Sequence, residues 1–580
     1  MINAELERLF ERIADLLEID GTDSFRVNSY RRAARAMADA TDDVAVVAKE
    51  GRLTDLAGVG KGTAEKIQQF IDSGAIDLLT ELEAKFPKGL PDLLEIQGLG
   101  PKKVALAYRE LGVGGMEDLK RVIASGELAK LKGMGAASVQ KIADGLSFLE
   151  SSGQRTMLGI ALPIAEALAQ RVRALPGVQQ VAIAGSLRRG AETVGDIDIL
   201  CDAADGEAVV SKFVTFDGVR RVLASGGTKG SVTVASEGRH EIQVDLRVVP
   251  KDSFGAALQY FTGSKAHNVR LREMAVKRKL KLNEYGLFDG EKQVAGAQEE
   301  DIYKVFGLPC YPPELREDRG EFDITDAKAF EKLVTVEDIR GDLHMHTTAS
   351  DGLNSINEMA EAAKARGYEF IAICDHSKSS TIANGLSIER MGQQIKDIHA
   401  ARKRMAGIEI LVGCECDILP DGSMDYPDDL LAQCDWVMAS IHSAQGKAGS
   451  SDKLSPTERT LAAIENRYVS CIGHPTGRLI NKRPPMDIDM AAVVAAAAKN
   501  HTMLEINASR QRLDLKDLHA KQALAAGVML SINTDAHRAN DFAKVRYGVL
   551  TARRGFALTK DIANCLTAAG LRKRIAQKRG

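Results

Sequence analysis

Residues 177–202 read GVQQVAIAGSLRRGAETVGDIDILCD. VAIAGS is an apolar strand that ends in Gly185–Ser186. GDIDIL, opening at Gly195, is a second strand with Asp196 and Asp198 two residues apart. Strand side chains alternate between faces, so both carboxylates point the same way. Two such charges repel unless cations neutralise them, and Mg²⁺ is usually held by a few carboxylates together with substrate phosphates. Downstream, EIQVDLRVV (241–249) sets Asp245 inside another apolar strand. An acid there is costly to bury unless it shares the metal. Solvated aspartates on an edge strand are the competing reading, and they leave the Gly-Ser turn and Arg188–Arg189 without a purpose.

N-terminal to this stretch the chain reads as helices only. LAGVGKGTAEKIQQFI (56–71), IQGLGPKKVALAYREL (96–111) and LKGMGAASVQKIADGL (131–146) share a Gly-apolar-Gly step before a helix, at Gly58/Gly60, Gly98/Gly100 and Gly133/Gly135. Paired glycines permit a tight interhelical turn and leave the next helix's first amides exposed, which is a natural phosphate cradle. One copy is a common turn; three copies about 35–40 residues apart form a pattern. Upstream, FRVNSYRRAARAM (25–37) places Arg26, Arg31, Arg32 and Arg35 on one short helix around Tyr30. The plain reading is a solvated basic face, and the sharper one is an anchor for a terminal phosphate.

C-terminal to it, FGLPCYPPELREDRGEF (306–322) is rich in proline and charge and marks a boundary. Beyond it strand and helix alternate seven times. The strand ends are DLHMHT, FIAICDHS, ILVGCECDI, WVMASIHS, SCIGHPT, MLEINAS and MLSINTDAH. Such regular repetition predicts a (βα)7 barrel-like domain. Six of the seven strands end in a possible metal ligand. They supply His344, His346, His376, Glu415, His442, His474, Asp535 and His537, and Asp351 follows in the first strand–helix loop. Barrel sites lie at the C-terminal rim of the strands. Nine N/O ligands there are too many for one ion and suit two or three divalent cations such as Mn²⁺ or Zn²⁺. His399, His501 and His519 have no such setting and read as structural or surface residues.

Composition limits the alternatives. With 580 residues, 44% hydrophobic and 27% charged, the chain is an ordinary folded protein of several domains. A net charge of −3 gives no global basic field, so any nucleic-acid contact must come from local patches. No apolar run approaches a membrane span. The eight cysteines are scattered without a CxxC motif, and the N-terminus is a charged amphipathic helix rather than a leader. A cytoplasmic monomer is expected.

GSLRRGAETVGDIDIL resembles the nucleotidyltransferase superfamily. Together with YFTGSKAHNVRLR (260–272) and the glycine repeats, which are similar to helix-hairpin-helix motifs, it resembles the family X DNA polymerases over about residues 1–320. The resemblance implies two metal ions, Mg²⁺ or Mn²⁺, on Asp196, Asp198 and Asp245. It implies that Gly185, Ser186, Arg189 and Gly195 contact the incoming deoxynucleoside triphosphate, and that Tyr260, Phe261 and Gly263 line the sugar. Asn268 and Arg272 fall where the new pair and template are probed. Arg26, Tyr30 and Arg31 fall in a pocket for a downstream 5′-phosphate, and Lys66 falls on the lysine that removes 5′-deoxyribose phosphate in animal members. The set HxHT, D, CDH, E, IHS, GHP and TDAH resembles the PHP (polymerase and histidinol phosphatase) domain of metal-dependent phosphoesterases. That likeness implies three ion sites: His344, His346, Glu415 and Asp535; His442, His474 and a bridging Glu415; and Asp351, His376 and His537.

The expected domains are therefore 1–88 (lyase-like, with the first hairpin), 89–152 (further hairpins), 153–250 (palm), 251–320 (nucleotide selection), a linker over 321–338, and 339–580 (PHP). The expected function is template-directed filling of short gaps in gapped or primer–template DNA during base excision repair. A 3′-5′ exonuclease or 3′-end phosphoesterase, with AP-endonuclease activity, would reside in the PHP domain. The alternative is a PHP nuclease or phosphatase whose polymerase half only binds DNA. A metabolite phosphatase would fit residues 340–580 alone and leave the three hairpins unexplained.

Overall fold

The computed structural model describes residues 2–39, 44–56, 59–96, 98–152, 155–236, 240–442 and 454–580. Val178–Ile183 (β1) and Asp196–Ala203 (β2) are strands, as the opening stretch requires, and they pair antiparallel. Val219–Ser225 (β3), Lys229–Ala235 (β4) and Glu241–Val249 (β5) complete a five-stranded sheet in the order β1-β2-β5-β4-β3. The β2–β5 pair is parallel and sets Asp198 directly beside Asp245. Ile197 and Ile199 alternate with the aspartates and face a core filled by Leu158, Ala161, Ala165, Leu168 and Val172 of helix Leu158–Arg173. Burying one such aliphatic side chain contributes about 1.5–3 kcal/mol, so this alternation fixes which way the aspartates point.

Helices Phe254–Thr262 and Lys265–Lys277 follow, then a small antiparallel sheet of Lys281–Asn283 (β6), Gly286–Asp289 (β7) and Lys292–Ala295 (β8). The proline-rich stretch 306–322 is not a free tether. Tyr311 and Phe322 belong to the core of this subdomain. Glu321 is fully buried and takes a 2.8 Å contact from His267 Nδ1, whose Nε2 meets the Tyr303 hydroxyl at 2.9 Å. Arg316 is buried against Glu299 and the Tyr311 carbonyl. A chain that buries this many charges in paired form is ordered there.

Seven parallel strands form the C-terminal barrel in sequential order: Gly341–Met345 (β9), Phe370–Ile373 (β10), Glu409–Asp417 (β11), Trp436–Ser440 (β12), Cys471–Ile472 (β13), Met503–Asn507 (β14) and Leu530–Asn533 (β15). A parallel bridge between Met345 and Ala536 joins the first strand end to the last. The His346 amide donates to the Ala536 carbonyl at 2.8 Å there. Helices between the strands start where their capping signals stand, with Ser355/Glu358 and Ser455/Glu458 forming capping boxes.

The elements described up to residue 152 are all helices and belong to a separate unit with two cores. In each hairpin the residue between the paired glycines is buried, namely Val59, Leu99 and Met134. The helix begins immediately after the second glycine, at Lys61, Pro101 and Ala136. Gly98 and Gly133 hold φ of +91° and +83°, which an L side chain resists. Gly58 lies outside the described residues. The second glycine of each pair is under no such constraint. Gly60, Gly100 and Gly135 are exposed, none has a positive φ, and a Cβ on any of them would meet no atom within 4 Å. In the second and third hairpins the left-handed step is taken at the first glycine, Gly98 or Gly133, and at all three second glycines the fold itself would accept a side chain. Among the described residues no helix is long and apolar enough to cross a membrane.

Candidate active sites

In the palm sheet, Gly185 closes the turn after β1 with φ of +69°, and a Cβ there would stand 2.5 Å from Asp198 Oδ2. Only glycine allows the loop to lie against that carboxylate. Burial, then the charges of Asp196 and Asp245, push the Asp198 carboxyl up to about 6. Burial would raise Asp245 as well. Hydrogen bonds from Ser231 Oγ (2.5 Å), Lys229 Nζ (2.9 Å) and Gln243 Nε2 (2.9 Å) outweigh it and hold the carboxyl below its ordinary value. Asp196 is exposed at the start of β2 beside Gly195. These three carboxylates are not among the described groups whose ligand atoms all lie within 4.8 Å of one another. Lys229 already serves as the counter-charge on Asp245, and the sequence reading missed it.

Ser186 and Arg189 lie on the short turn after Gly185. Arg189 Nε meets Glu317 at 2.9 Å and its Nη1 donates to the Thr262 carbonyl at 2.8 Å. Tyr260 and Phe261 pack edge to face, with centroids 5.2 Å apart. Asn268 is buried, and its amide donates to the carbonyls of Tyr260 (2.7 Å) and Gly263 (3.2 Å). A Cβ on Gly263 would collide with the Asn268 amide oxygen. Asn268 thus fixes the turn that carries Tyr260 and Phe261, while Arg272 is exposed one helical turn on.

In the N-terminal unit Tyr30 is buried and stacks on Phe10, and Lys66 Nζ lies 6.0 Å from its ring centroid. Arg26 is exposed. Arg31, expected beside a phosphate, is instead paired with Glu18 (2.6 Å) and Asp15 (3.4 Å). The side chain of Arg35 lies outside what the structure describes. Gly60 and Gly100 precede their helices in extended backbone. Gly135 precedes the third helix, and its carbonyl accepts from the amides of Ser138 (2.8 Å) and Val139 (3.1 Å). With open space at each second glycine, the first amides of these helices are left uncovered by any side chain there.

The barrel rim is assembled more tightly. Ligand atoms of His344, His346 and Asp535 form one cluster, those of His346, Asp351, His376 and His537 a second, and those of His376, Glu415 and His442 a third. Glu415 is central. Its Oε2 is 3.4 Å from His344 and 2.9 Å from His376, and its Oε1 is 2.9 Å from His474 and 3.3 Å from His442. The grouping differs from the expected partition because His346 and His376 each serve two clusters through separate ring nitrogens.

The ring nitrogens show that ions fit. His344 Nε2, His346 Nδ1 and His376 Nδ1 are buried without a hydrogen-bond partner. His376 Nδ1 is near Glu415 but out of line for a hydrogen bond. A buried imidazole nitrogen aimed at carboxylates and other imidazoles is a ligand position. Burial, then His376 and His537, push His346 down to about 3. Burial opposes the rise of His442 and His537, but nearby carboxylates lift them to about 10 and about 9.

The sequence reading also missed the residues that orient these ligands. β14, the one strand without an assigned ligand, carries Glu505. It is fully buried, meets His344 Nδ1 at 2.7 Å and accepts from the His474 amide at 2.6 Å. Asp417 does the same for His442 Nδ1 at 2.6 Å. Such partners fix the imidazole tautomer and raise its basicity. An acid inside the apolar run MLEIN was the available signal, because a buried charge needs a partner. Arg512 places its Nε 3.8 Å from Asp535.

Fold and sites together define a nucleotidyltransferase palm joined to a phosphoesterase barrel that depends on divalent metal. Family models match in the same order: a helix-hairpin-helix domain at 1–76, a SAM-like helix-hairpin-helix tandem at 90–147, a DNA polymerase beta palm at 162–234, a DNA polymerase beta thumb at 257–317 and a PHP domain at 342–509. The DNA polymerase/3′-5′ exonuclease PolX of Bacillus subtilis is 39% identical over 566 residues, covering 97% of each chain. Rat DNA polymerase lambda is 27% identical over 54% of this chain and 56% of its own. A probable phosphatase of Caldicellulosiruptor saccharolyticus is 29% identical over 35% of this chain and 81% of its own. The chain belongs to the bacterial family X DNA polymerases that carry a C-terminal PHP domain.

Proposed function

We propose that the protein fills short gaps in DNA during repair and, with its barrel, trims or cleans 3′ ends and incises abasic sites. What supports this reading is one observation: a carboxylate-only set and a mostly imidazole rim stand on a single chain, each with its own chemistry. The palm would use Mg²⁺ or Mn²⁺ on Asp196, Asp198 and Asp245, and the barrel Mn²⁺ or Zn²⁺ on its nine ligands. When bound, such ions supply Lewis acidity, easing deprotonation of the primer 3′-hydroxyl in the palm and activation of water in the barrel. The residues themselves bind and orient. Ser186 and Arg189 receive the triphosphate, Tyr260 and Phe261 line the sugar, and Asn268 and Arg272 lie toward the new pair. Glu505 and Asp417 keep the rim imidazoles presenting the correct nitrogen. Arg26, Tyr30 and Arg31 would engage a 5′-phosphate, with Arg31 exchanging Asp15 and Glu18 for it, and Lys66 beside Tyr30 is the residue for lyase chemistry. The glycine pairs would hold the DNA backbone through helix amides, with the open second glycines, Gly60, Gly100 and Gly135, giving it room to approach.

The test is primer extension and 3′ degradation on a single-nucleotide gap with Mg²⁺ or Mn²⁺. Asp196→Ala with Asp198→Ala should abolish extension and spare 3′ cleavage, and His344→Ala with His346→Ala should do the reverse. Loss of both activities in both folded variants sinks the two-site reading.

A further inference from the structure

The turn that carries Ser186 and Arg189 is held from the barrel as well as from the palm. Helix Val545–Arg554 of the barrel packs along it, and a Cβ on Gly190, at φ +64°, would stand 3.1 Å from Leu550. Arg554 is buried, and its Nη1 donates both to the Arg189 carbonyl and to Glu317 Oε1, each at 2.8 Å. Glu317 Oε1 also accepts from Arg189 Nε at 2.9 Å. One carboxylate oxygen therefore serves two guanidinium groups, one from each domain. The other edge of Arg554 is neutralised by Asp517, at 2.9 Å from both Nε and Nη2. The nearby Arg478 of the barrel reaches Glu192, just past the turn, at 2.7 Å.

We infer that Arg554 is a positioning residue for nucleotide binding: by sharing Glu317 with Arg189, it lets Arg189 be released to the triphosphate. The inference rests on the reading that Arg189 contacts the nucleotide. Arg189 is held back from any phosphate by Glu317 and by the Thr262 carbonyl, a residue of the sugar-facing turn. A carboxylate with a single cation holds it strongly in a buried site, where the alternative is an unpaired charge. A carboxylate with a second, permanent cation leaves no such vacancy when the first departs. Arg554 supplies that second cation, so an anion can compete for Arg189. The barrel would thereby set the affinity of the polymerase site without touching the nucleotide.

The experiment measures binding rather than turnover. Complementary dNTP is titrated onto the full-length protein on a single-nucleotide gap whose primer ends in a dideoxynucleotide, with Mg²⁺ present and folding checked by thermal unfolding. Arg554→Gln should weaken dNTP binding about tenfold, the scale of one charge-assisted contact. Arg554→Lys keeps the charge and should lose less. Glu317→Gln, isosteric and neutral, should tighten binding, and the double variant Arg554→Gln/Glu317→Gln should recover most of the loss. A Glu317→Gln protein that binds no tighter than the parent overturns the inference, as does a double variant as weak as Arg554→Gln. Arg189→Ala is the control for the underlying reading. If it binds dNTP like the parent, that reading fails. If it loses affinity while Arg554→Gln does not, only the relay fails.

Discussion

The barrel rim and the palm sheet each gather acids for metal, but they solve the repulsion problem differently. At the rim, imidazoles are interleaved with Glu415, Asp351 and Asp535, and the ligand atoms already lie within 4.8 Å in three clusters. In the palm there are only carboxylates, and one of them is occupied by Lys229. Imidazole can be neutral or cationic, so acids interleaved with it find relief inside the cluster. A carboxylate trio has no such relief within itself and calls for an outside counter-charge. The rim carries its counter-charges among its own side chains, and the palm takes one from Lys229.

The sharpest break of this comparison is at Glu415. Its two oxygens face five imidazoles, so Glu415→Ala should remove more than one equivalent of bound metal and cut 3′ cleavage at least ~10³-fold, the scale of losing several kcal/mol of Lewis-acid stabilisation. Elemental analysis of the purified variant decides it: a deficit of one equivalent or none rules out bridging. Next comes Glu505→Gln, which removes the negative charge behind His344 and turns one of its two acceptor oxygens into a donor, at a residue set behind the ligands. Metal affinity at the rim should fall about 10–100-fold, read by titration with Mn²⁺, while extension on a gap changes little.

The two sites should also differ with pH. His442 and His537 are raised to about 10 and about 9 in the metal-free protein, so both carry protons at neutral pH and an ion must displace them. Protonation is favoured as pH falls, so apparent metal affinity at the rim should drop about tenfold per pH unit for each proton displaced. Extension, which depends on carboxylates of which the highest, Asp198, lies at about 6, should lose less between about pH 8 and 7, where all three stay ionised. Equal pH slopes for Mn²⁺ binding and for extension would remove the distinction. The smallest effect is at Lys229→Met. Its half-exposed side chain limits the loss to about 1 kcal/mol or less in the metal-free protein. Mg²⁺ should then raise the melting temperature more in this variant than in the parent, and an equal rise counts against Lys229 as a stand-in cation.

The glycine steps, the aspartates of GDIDIL and the histidines at six strand ends were legible because each is local. A glycine pair, a period of two and a strand terminus are properties of a few consecutive residues. Which glycine of a pair the turn requires was not legible: Gly133 carries the positive φ, and Gly135 stands in open space. Glu505 was hidden too, because MLEIN alone does not reveal whether its acid faces a metal, an imidazole or solvent. Arg31 shows the converse: a basic residue in a basic stretch found its partners, Asp15 and Glu18, on a different helix.

By itself, then, the sequence determined the order of domains, the alternation that aims Asp196 and Asp198 to one side, and the placement of ligands at strand C-termini. These follow from backbone geometry and burial, which act over a few residues. The tertiary structure alone decided that His346 and His376 are shared between clusters, that Lys229 holds Asp245, and that Arg554 of the barrel grips the turn of Arg189 across 365 residues of chain. Pairing of charges depends on distance in space, and strand register and domain packing set that distance only once the whole fold is made.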